Sequence, residues 1–463
     1  MLFGCSTIAG HELPEAIYQV DEPLTVEVMT ARYHQWSKAL RAVEVWREPN
    51  VNARYRLLAK ANIGTSEFAT TAGSLALRAL TVPDAFCVER LKDAGCDIFG
   101  KTTMSELANF VTTSQPNTGY SHLGGFPVNP WHADWLPGGS STGSAIAVAV
   151  GLCDAALGTE TRGSLMDPAF ANGVWALKPT RGLISRSGIV PISRHFDTPG
   201  VLARDLETAV EVVNLMRGFD PDDSPTWVSD QIDLTPMVPD HPLRVGLITV
   251  EGKEPTSAAR QLLTDCVSPD VTLVEIVVPQ VDFDYKRITS LDIQTDMDRF
   301  LRRYASGETP QSFDELINFY RSHPETHPFG MDRLEDAVRF APMAPEAVDD
   351  WAQLQINAAN ALIRKTMKTH KVDALCALNF VDWWAIGGSP SIAIPLGLNA
   401  EGAKLVAKKS TISAKLDSIL SHLRGNLSWH SIQLDTLRNI TVSRSAPFVV
   451  GKPKESFLSL SVP

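Results

Sequence analysis

LPGGSSTGSAIAVAVG, from Leu136 to Gly151, and ALGTETRGSLMDPA, from Ala156 to Ala169, hold two serines in a setting that few folds require. Gly138 and Gly139 stand directly before Ser140, where they let the backbone bend and let a substrate come close. The small, apolar run that follows reads as a buried helix with Ser140, Ser141 and Thr142 in its first turn. GTETRGS then offers successive backbone N–H groups in a turn ending at Ser164, an arrangement that can bind an oxyanion. A serine beside such donors, with another serine 24 positions upstream (164 − 140), points to acyl transfer.

These residues resemble the amidase-signature family, whose hallmark is a GGSS-G-S stretch followed by GT(D/E)T-GS. Further matches are TTAGSLAL at 70–77, FGKTTMSELANF at 99–110, LKPTRGLISRSGIVPIS at 177–193, DTPGVLARDLETAV at 197–210 and GGSPSIAIPLG at 387–397. The GTET wording and the SELANF segment are most similar to the peptide-amidase and fungal-amidase branch. The resemblance implies an α/β/α sandwich around a central twisted, mixed and largely parallel sheet. It implies one domain across 1–463: an N-terminal helical segment at 15–55, a signature core at 56–216, remaining sheet and a helical substrate-facing cover at 243–400, and a divergent end at 401–463. It also implies a triad of a lysine, a serine following a cis peptide bond and a nucleophilic serine. The match places the cis serine at Ser140 and the nucleophile at Ser164. Ser141 takes a supporting role, and the backbone N–H groups of Thr161, Arg162, Gly163 and Ser164 form the oxyanion hole.

The proton chemistry needs a base. A lysine serves only when neutral, whereas its reference pKa is about 10.4 and burial must lower it. Lys60 lies in the apolar strand RLLAKANI (56–63) and matches the family's lysine. Lys101 follows the buried strand CDIFG and is equally well framed, but the match makes GKTTMSEL a structural segment. GSSTG at 139–143 also satisfies G-x-S-x-G with Ser141 as nucleophile, the pattern of Ser-His-Asp hydrolases. That elbow needs a hydrophobic strand before it, and HADWLPG is a loop; His195 in SRHFDT has nothing in the sequence to position it.

Composition bounds the rest. The chain has 463 residues, 44% of them hydrophobic, and no apolar run long enough to span a bilayer. A net charge of −11 argues against nucleic acid or an anionic membrane as partner, since both attract a basic face. Cys5, Cys87, Cys96, Cys153, Cys266 and Cys376 form no C-x-x-C pair and read as buried thiols. MLFGCSTIAG lacks a basic region followed by a long apolar one, so the expected location is cytoplasmic and the sequons at Asn426 and Asn439 are read as chance. Expected partners are a small-molecule amide and, at most, a second copy of the chain as a homodimer; no metal or cofactor is expected.

Periodicity gives an N-terminal amphipathic helix before RLLAKANI, a helix over DAFCVERLKDAG (84–95), a loop at 218–242 and buried strands in LRVGLITVEG (243–252), VTLVEIVVP (271–279) and DALCALNF (373–380). LRVGLITVEG is expected to restart the sheet. Residues 280–370 read as charged helices. The chain departs from the family pattern at NARYR before the lysine, at Ala61 where an acidic residue is usual, and at Thr142, Arg162 and Met166. The expected activity is hydrolysis of a carboxamide: Ser164 attacks, Ser140 relays the proton and Lys60 acts as base and acid. Two other readings account for the departures: a catalytically degenerate amidase-like binding protein, or a biosynthetic enzyme that reuses the pocket for acyl transfer or another non-hydrolytic step.

Overall fold

The computed structural model describes residues 24–395, apart from 117, 132, 232–241, 256, 268–270 and 379–380, together with the strand at 457–459. α1 (Val26–Leu40) leads into β1 (Val43–Trp46) and β2 (Arg56–Lys60), and α2 (Phe86–Asp93) precedes β3 (Asp97–Thr102). Next come α3 (Thr142–Ala149), β4 (Ala155–Glu160), α4 (Met166–Asn172), β5 (Trp175–Lys178), β6 (Thr198–Ala203) and α5 (Leu206–Met216). The second half runs through β7 (Leu243–Val250), α6 (Ser257–Cys266), β8 (Val271–Val278), α7 (Tyr285–Tyr304), α8 (Phe313–Ser322), α9 (Asp332–Arg339) and α10 (Pro345–His370). It ends with β9 (Ala374–Ala377), α11 (Trp383–Gly387), β10 (Ser391–Pro395) and β11 (Phe457–Ser459).

Strand alternation sorts the layers. Successive side chains of a strand face opposite sides of the sheet. Leu57 and Ala59 of β2 join a cluster with Cys87, Val88 and Leu91 of α2 and Leu206, Ala209 and Val212 of α5. Leu58 joins Ala145, Ile146 and Val148 of α3 with Trp36 and Leu40 of α1 on the other face. Helices thus cover both faces, giving the α/β/α sandwich.

The larger sheet has the order β1-β3-β2-β4-β6-β5-β10-β11. It is mixed: β2 pairs parallel with β3 and β4, while β1/β3, β4/β6, β5/β6, β5/β10 and β10/β11 pair antiparallel. Strands β4, β5 and β6 are buried along their whole length, which is why they read as continuous apolar runs.

The second-half strands differ from the expectation that they restart this sheet. β8, β7 and β9 form a separate three-stranded parallel sheet. Both edges of β7 are taken by β8 and β9, so it has none left for the larger sheet. A second difference is β1, an edge strand absent from the sequence reading: VEVW is half-exposed, and its pairing with β3 is interrupted by a register shift.

Helices α7, α8 and α9 pack over loops beyond the larger sheet. Ile293, Met297, Phe300, Leu316, Ile317, Tyr320 and Leu334 pack onto Leu77, Met104, Leu107, Val190 and Ile192, residues of the loops beyond the sheet. Cys87, Cys96, Cys153 and Cys376 are buried free thiols. No described helix is long and apolar enough to cross a membrane. Residues 15–23 of the N-terminal segment, the 401–456 stretch and the two sequons lie outside the described residues.

Candidate active site

β2 and β4 run parallel and side by side, so their carboxyl ends open onto the same crevice, where open α/β sheets place ligands. Lys60 ends β2, and Thr159–Glu160 ends β4. Gly138, Gly139 and the serine doublet enter this crevice from the start of α3.

The local chain path follows from small residues. Gly138 has φ +68°, and a Cβ there would lie 2.7 Å from the Asp167 carbonyl oxygen. Gly143 sits so close to the β1–β3 edge that a Cβ would lie 2.2 Å from Ala42 O and 2.5 Å from Thr103 Oγ1. The bond between Gly139 and Ser140 is cis. α3 begins at Thr142, with Ser141 at its N-cap, so Ser140 and Ser141 precede the first turn instead of lying within it. Thr142 Oγ1 reaches back to Gly138 O at 2.8 Å and fixes the turn.

Lys60 is completely buried, and its Nζ lies 2.8 Å from Ser140 Oγ. Nζ also donates to Thr159 O at 3.1 Å and to Thr159 Oγ1 at 2.8 Å. Burial pushes its pKa down to about 7, against the pull of Asp197 and Glu160. Asn62 Nδ2 donates to Thr159 Oγ1 at 3.1 Å, while the Asn62 Oδ1 atom is buried without a hydrogen-bond partner. Ser141 does not touch the lysine: its Oγ bonds Thr159 O at 3.1 Å and accepts from Thr159 N at 3.3 Å, stitching α3 to β4.

Ser164 is partly buried and adjoins the doublet, because Ser141 N donates to Ser164 O at 3.1 Å. The loop from Thr161 to Ser164 is shaped by Gly163 at φ +88°. Glu160 closes it from below, accepting from Leu165 N at 2.8 Å and Met166 N at 3.2 Å. Asp167 N bonds Gly163 O at 2.7 Å. These fixing bonds come from amides downstream of the four expected oxyanion donors. Thr161 Oγ1 donates to Asp197 Oδ1 at 2.5 Å, and Asp197 Oδ2 accepts from Ile192 N and Ser193 N. Arg162 leans out of the loop, with its guanidinium carbon 4.6 Å from the centroid of the Tyr285 ring and Nη1 3.5 Å from Asp382 Oδ1.

Lys101 is buried too, and burial pushes it down to about 7 as well. Its shift therefore does not separate it from Lys60; its partners do. Nζ of Lys101 donates to Ile63 O and lies 3.3 Å from Thr65 Oγ1, so it pins the loop after β2 instead of meeting a serine. His195 corrects the sequence reading that nothing positions it. Nδ1 lies 2.8 Å from Asp292 Oδ2 and Nε2 3.0 Å from Asp349 Oδ1, so both ring nitrogens are committed to aspartates of the helical cover and neither serves Ser141.

A cavity of about 210 Å³ adjoins the network from the Thr159 side. Asn62, Thr159, Thr161, Asp197 and Phe300 are among its lining residues, which include neither Lys60 nor the serines, so it is not the surface that meets Ser164. No group of three or more His, Cys, Asp or Glu side chains suited to a metal ion occurs among the described residues. Sequence reasoning misses Asn62, Thr159, Asp197, Tyr285 and Asp382. Thr159 and Asp197 lie inside quoted motifs, whereas Tyr285 and Asp382 lie in segments without a pattern.

The chain has relatives among known proteins. The family model described as Amidase matches residues 57–397. A Schizosaccharomyces pombe relative that carries an amidase name is 47% identical over 168 residues, 36% of this chain and 29% of that protein. An Arabidopsis thaliana relative, also named as an amidase, is 29% identical over 373 residues, 75% of this chain and 70% of that protein. This chain thus spans less than a third of the first relative's length. The crystal structure of the native peptide amidase from Stenotrophomonas maltophilia superposes with a TM-score of 0.72 at 27% identity, covering 86% of this chain and 91% of that one.

Proposed function

The chain belongs to the amidase family, and from that premise we propose that it hydrolyses the C–N bond of a linear carboxamide through an acyl-enzyme on Ser164. The observation that carries this reading is the buried Lys60 Nζ at 2.8 Å from Ser140 Oγ. A neutral lysine has two N–H donors and one lone pair. Thr159 O and Thr159 Oγ1 take the donors, which leaves the lone pair for the Ser140 hydroxyl proton.

In the first half-reaction Ser164 Oγ attacks the carbonyl carbon while its proton passes to Ser140 Oγ and that of Ser140 to Lys60 Nζ. The negative charge gathers on the substrate oxygen, where the N–H groups of Thr161, Arg162, Gly163 and Ser164 stabilise it. The C–N bond breaks as Lys60 returns its proton through Ser140 to the leaving nitrogen. Water then attacks the acyl-enzyme by the same relay, releasing the acid and restoring Ser164. The likeness to a peptide amidase supports a carboxamide as the group cleaved.

Intact-mass analysis after treatment with a fluorophosphonate tests this. One adduct is expected on the wild-type chain and none on Ser164→Ala, with hydrolysis of the amide lost in parallel. Labelling of Ser164→Ala at the wild-type rate overturns the nucleophile. A wild-type chain that never labels and never turns over is instead an amidase-like binding protein, and product formed with an added amine in place of water marks acyl transfer.

A further inference from the structure

The cavity of about 210 Å³ lies behind the proton relay: its lining includes Thr159, which holds Lys60, but neither Lys60 nor the serines. That lining runs from exposed residues, Asp222, Arg299 and Arg303, to buried ones, Asn62, Thr159 and Thr161. A cavity of about 150 Å³ already holds a benzene ring. Here Val190, Ile192 and Phe300 supply buried apolar walls.

The charges around the cavity do not balance. Arg186 pairs with Asp223 at 2.5 Å and Arg303 with Asp222 at 2.7 Å. Arg194 is divided among Asp292, Asp296 and Asp349 at 3.0, 3.2 and 2.8 Å, and Arg299 also turns to Asp296, at 3.4 Å. With Asp197, six aspartates thus meet four arginines. His195, between Asp292 and Asp349, adds at most one more positive charge.

Asp197 is the lining acid left over. Its hydrogen bonds come from neutral donors, Thr161 Oγ1 and the amides of Ile192 and Ser193, and no salt bridge reaches it among the described residues. Oδ1 takes one of these bonds and Oδ2 two, so a carboxylate with about four acceptor sites has one to spare. Arg186, whose field reaches Asp197, is itself bonded to Asp223. Lys60, also within range of Asp197, acts as a base only when neutral and then leaves that charge uncovered. Asn62 lines the same end of the cavity, and its buried Oδ1 has no hydrogen-bond partner. This end is rich in acceptors and short of a cation, and a buried carboxylate without a counter-charge is costly.

We propose that this cavity binds a protonated primary amine with a short apolar body. The ammonium group sits on Asp197, where it supplies the missing charge and up to three N–H donors, and the body lies against Val190, Ile192 and Phe300. The site does not meet Ser164, so an occupant and an amide substrate can be bound together. An occupant touches the relay from behind, through Thr159.

Benzylammonium and benzyl alcohol, which share a ring and differ in charge, serve as probes. Titration calorimetry of the full chain at pH 7 should show one benzylammonium site, at least tenfold tighter than benzyl alcohol. Asp197→Asn should weaken benzylammonium at least tenfold and leave benzyl alcohol within twofold. Val190→Phe, which fills the apolar end, should weaken both probes and supplies the comparison if Asp197→Asn does not fold. Crystals soaked in 4-bromobenzylammonium should place the bromine between residues 186–199 and α7. Equal affinity for the two probes, full benzylammonium affinity in either variant, or bromine elsewhere or nowhere overturns the site. Competitive inhibition of amide hydrolysis by benzylammonium overturns its separation from Ser164. The binding measurements need no turnover, which keeps this site distinct from the hydrolase reading. Benzylammonium held through Asp197, in a chain whose Ser164 never takes a fluorophosphonate, supports the site and overturns the hydrolase. Labelling and turnover without benzylammonium binding overturn the site alone.

Discussion

Lys60 Nζ and Ser140 Oγ, 80 residues apart in sequence, lie 2.8 Å apart in a fully buried setting. The contact follows from the sheet. β2 and β4 pair in parallel with Ala59 opposite Leu157, so Lys60 and Thr159 emerge at the same end, and α3 delivers Ser140 to the gap between them.

The rate should therefore follow the neutral fraction of Lys60. With a pKa near 7, kcat/KM rises about tenfold per pH unit below pH 6.5 and levels off above pH 8, since only the free amine accepts a proton. Lys60→Ala should lose roughly 10²–10⁴-fold at pH 8. Lys101 has a similar downward shift but bonds Ile63 O and Thr65, so a folded Lys101→Met chain should keep the same inflection. A pH–rate series on the three proteins decides it: an inflection that disappears with Lys101 instead of Lys60 reassigns the base.

Much of this site is legible in the sequence, for reasons that differ by residue. Glycines and serines announce Ser140 and Ser164 because the close approaches at Gly138 and Gly143 tolerate no side chain. The apolar frame RLLAKANI identifies Lys60, because burying a lysine is rare unless its charge is removed. A similar frame makes Lys101 look equal on pattern alone; the family match distinguishes the two, and in the fold their partners differ. Strand β1 escapes a reading by pattern because its pairing comes from one antiparallel neighbour, not from its own alternation. The sequence hides what holds His195, because Asp292 and Asp349 lie 97 and 154 residues away, on helices without a motif. Arg162 stands out as a departure, but its partners come from distant segments without a motif, Tyr285 from the start of α7 and Asp382 from the N-cap of α11.

Gly143→Ala should destabilise the chain at the doublet. The new methyl would meet the Ala42 carbonyl at 2.2 Å and Thr103 N at 2.6 Å, both backbone atoms that cannot swing aside. Overpacking of this kind costs about 1–3 kcal/mol. Because α3 would be pushed away from β3, activity should fall further than stability alone accounts for. Thermal unfolding and kcat measured on the same preparation check this; an unchanged melting temperature would mean that α3 has room the packing does not show.

Thr159→Val keeps the β4 carbonyl but removes the hydroxyl that meets both Lys60 Nζ and Asn62 Nδ2. The lysine loses an acceptor that favours its charged form, so its pKa should fall and the rate inflection should move to lower pH. Asn62 Nδ2 would lose its partner in a buried site, at a cost of about 1–3 kcal/mol. With Lys60 less firmly aimed, kcat should drop on the order of 10–100-fold while KM changes little. An inflection that moves upward, or a loss confined to KM, would show that Thr159 acts on substrate binding instead of on the lysine.

Lys101 and Glu106 should tilt stability in opposite directions. Burial pushes Glu106 up to about 7 from 4.5, so between those values the folded chain holds a proton that the unfolded chain has released. Stability then falls as pH rises from 4.5 to 7. Burial pushes Lys101 down to about 7 from 10.5, so between 7 and 10.5 the unfolded chain holds the extra proton. Stability then rises with pH over that window. Each group contributes a slope of about 1.4 kcal/mol per pH unit within its range. Glu106→Gln has one acceptor oxygen, for the His122 amide, and its NH2 can donate to the Tyr320 hydroxyl in place of accepting from it; it should flatten the limb below pH 7. Lys101→Met should reduce the slope above pH 7 and leave the lower limb intact. Unfolding free energies from urea titrations between pH 5 and 9 measure both limbs, and a Lys101→Met chain that keeps the full wild-type slope above pH 7 would show that Lys101 stays charged in the fold.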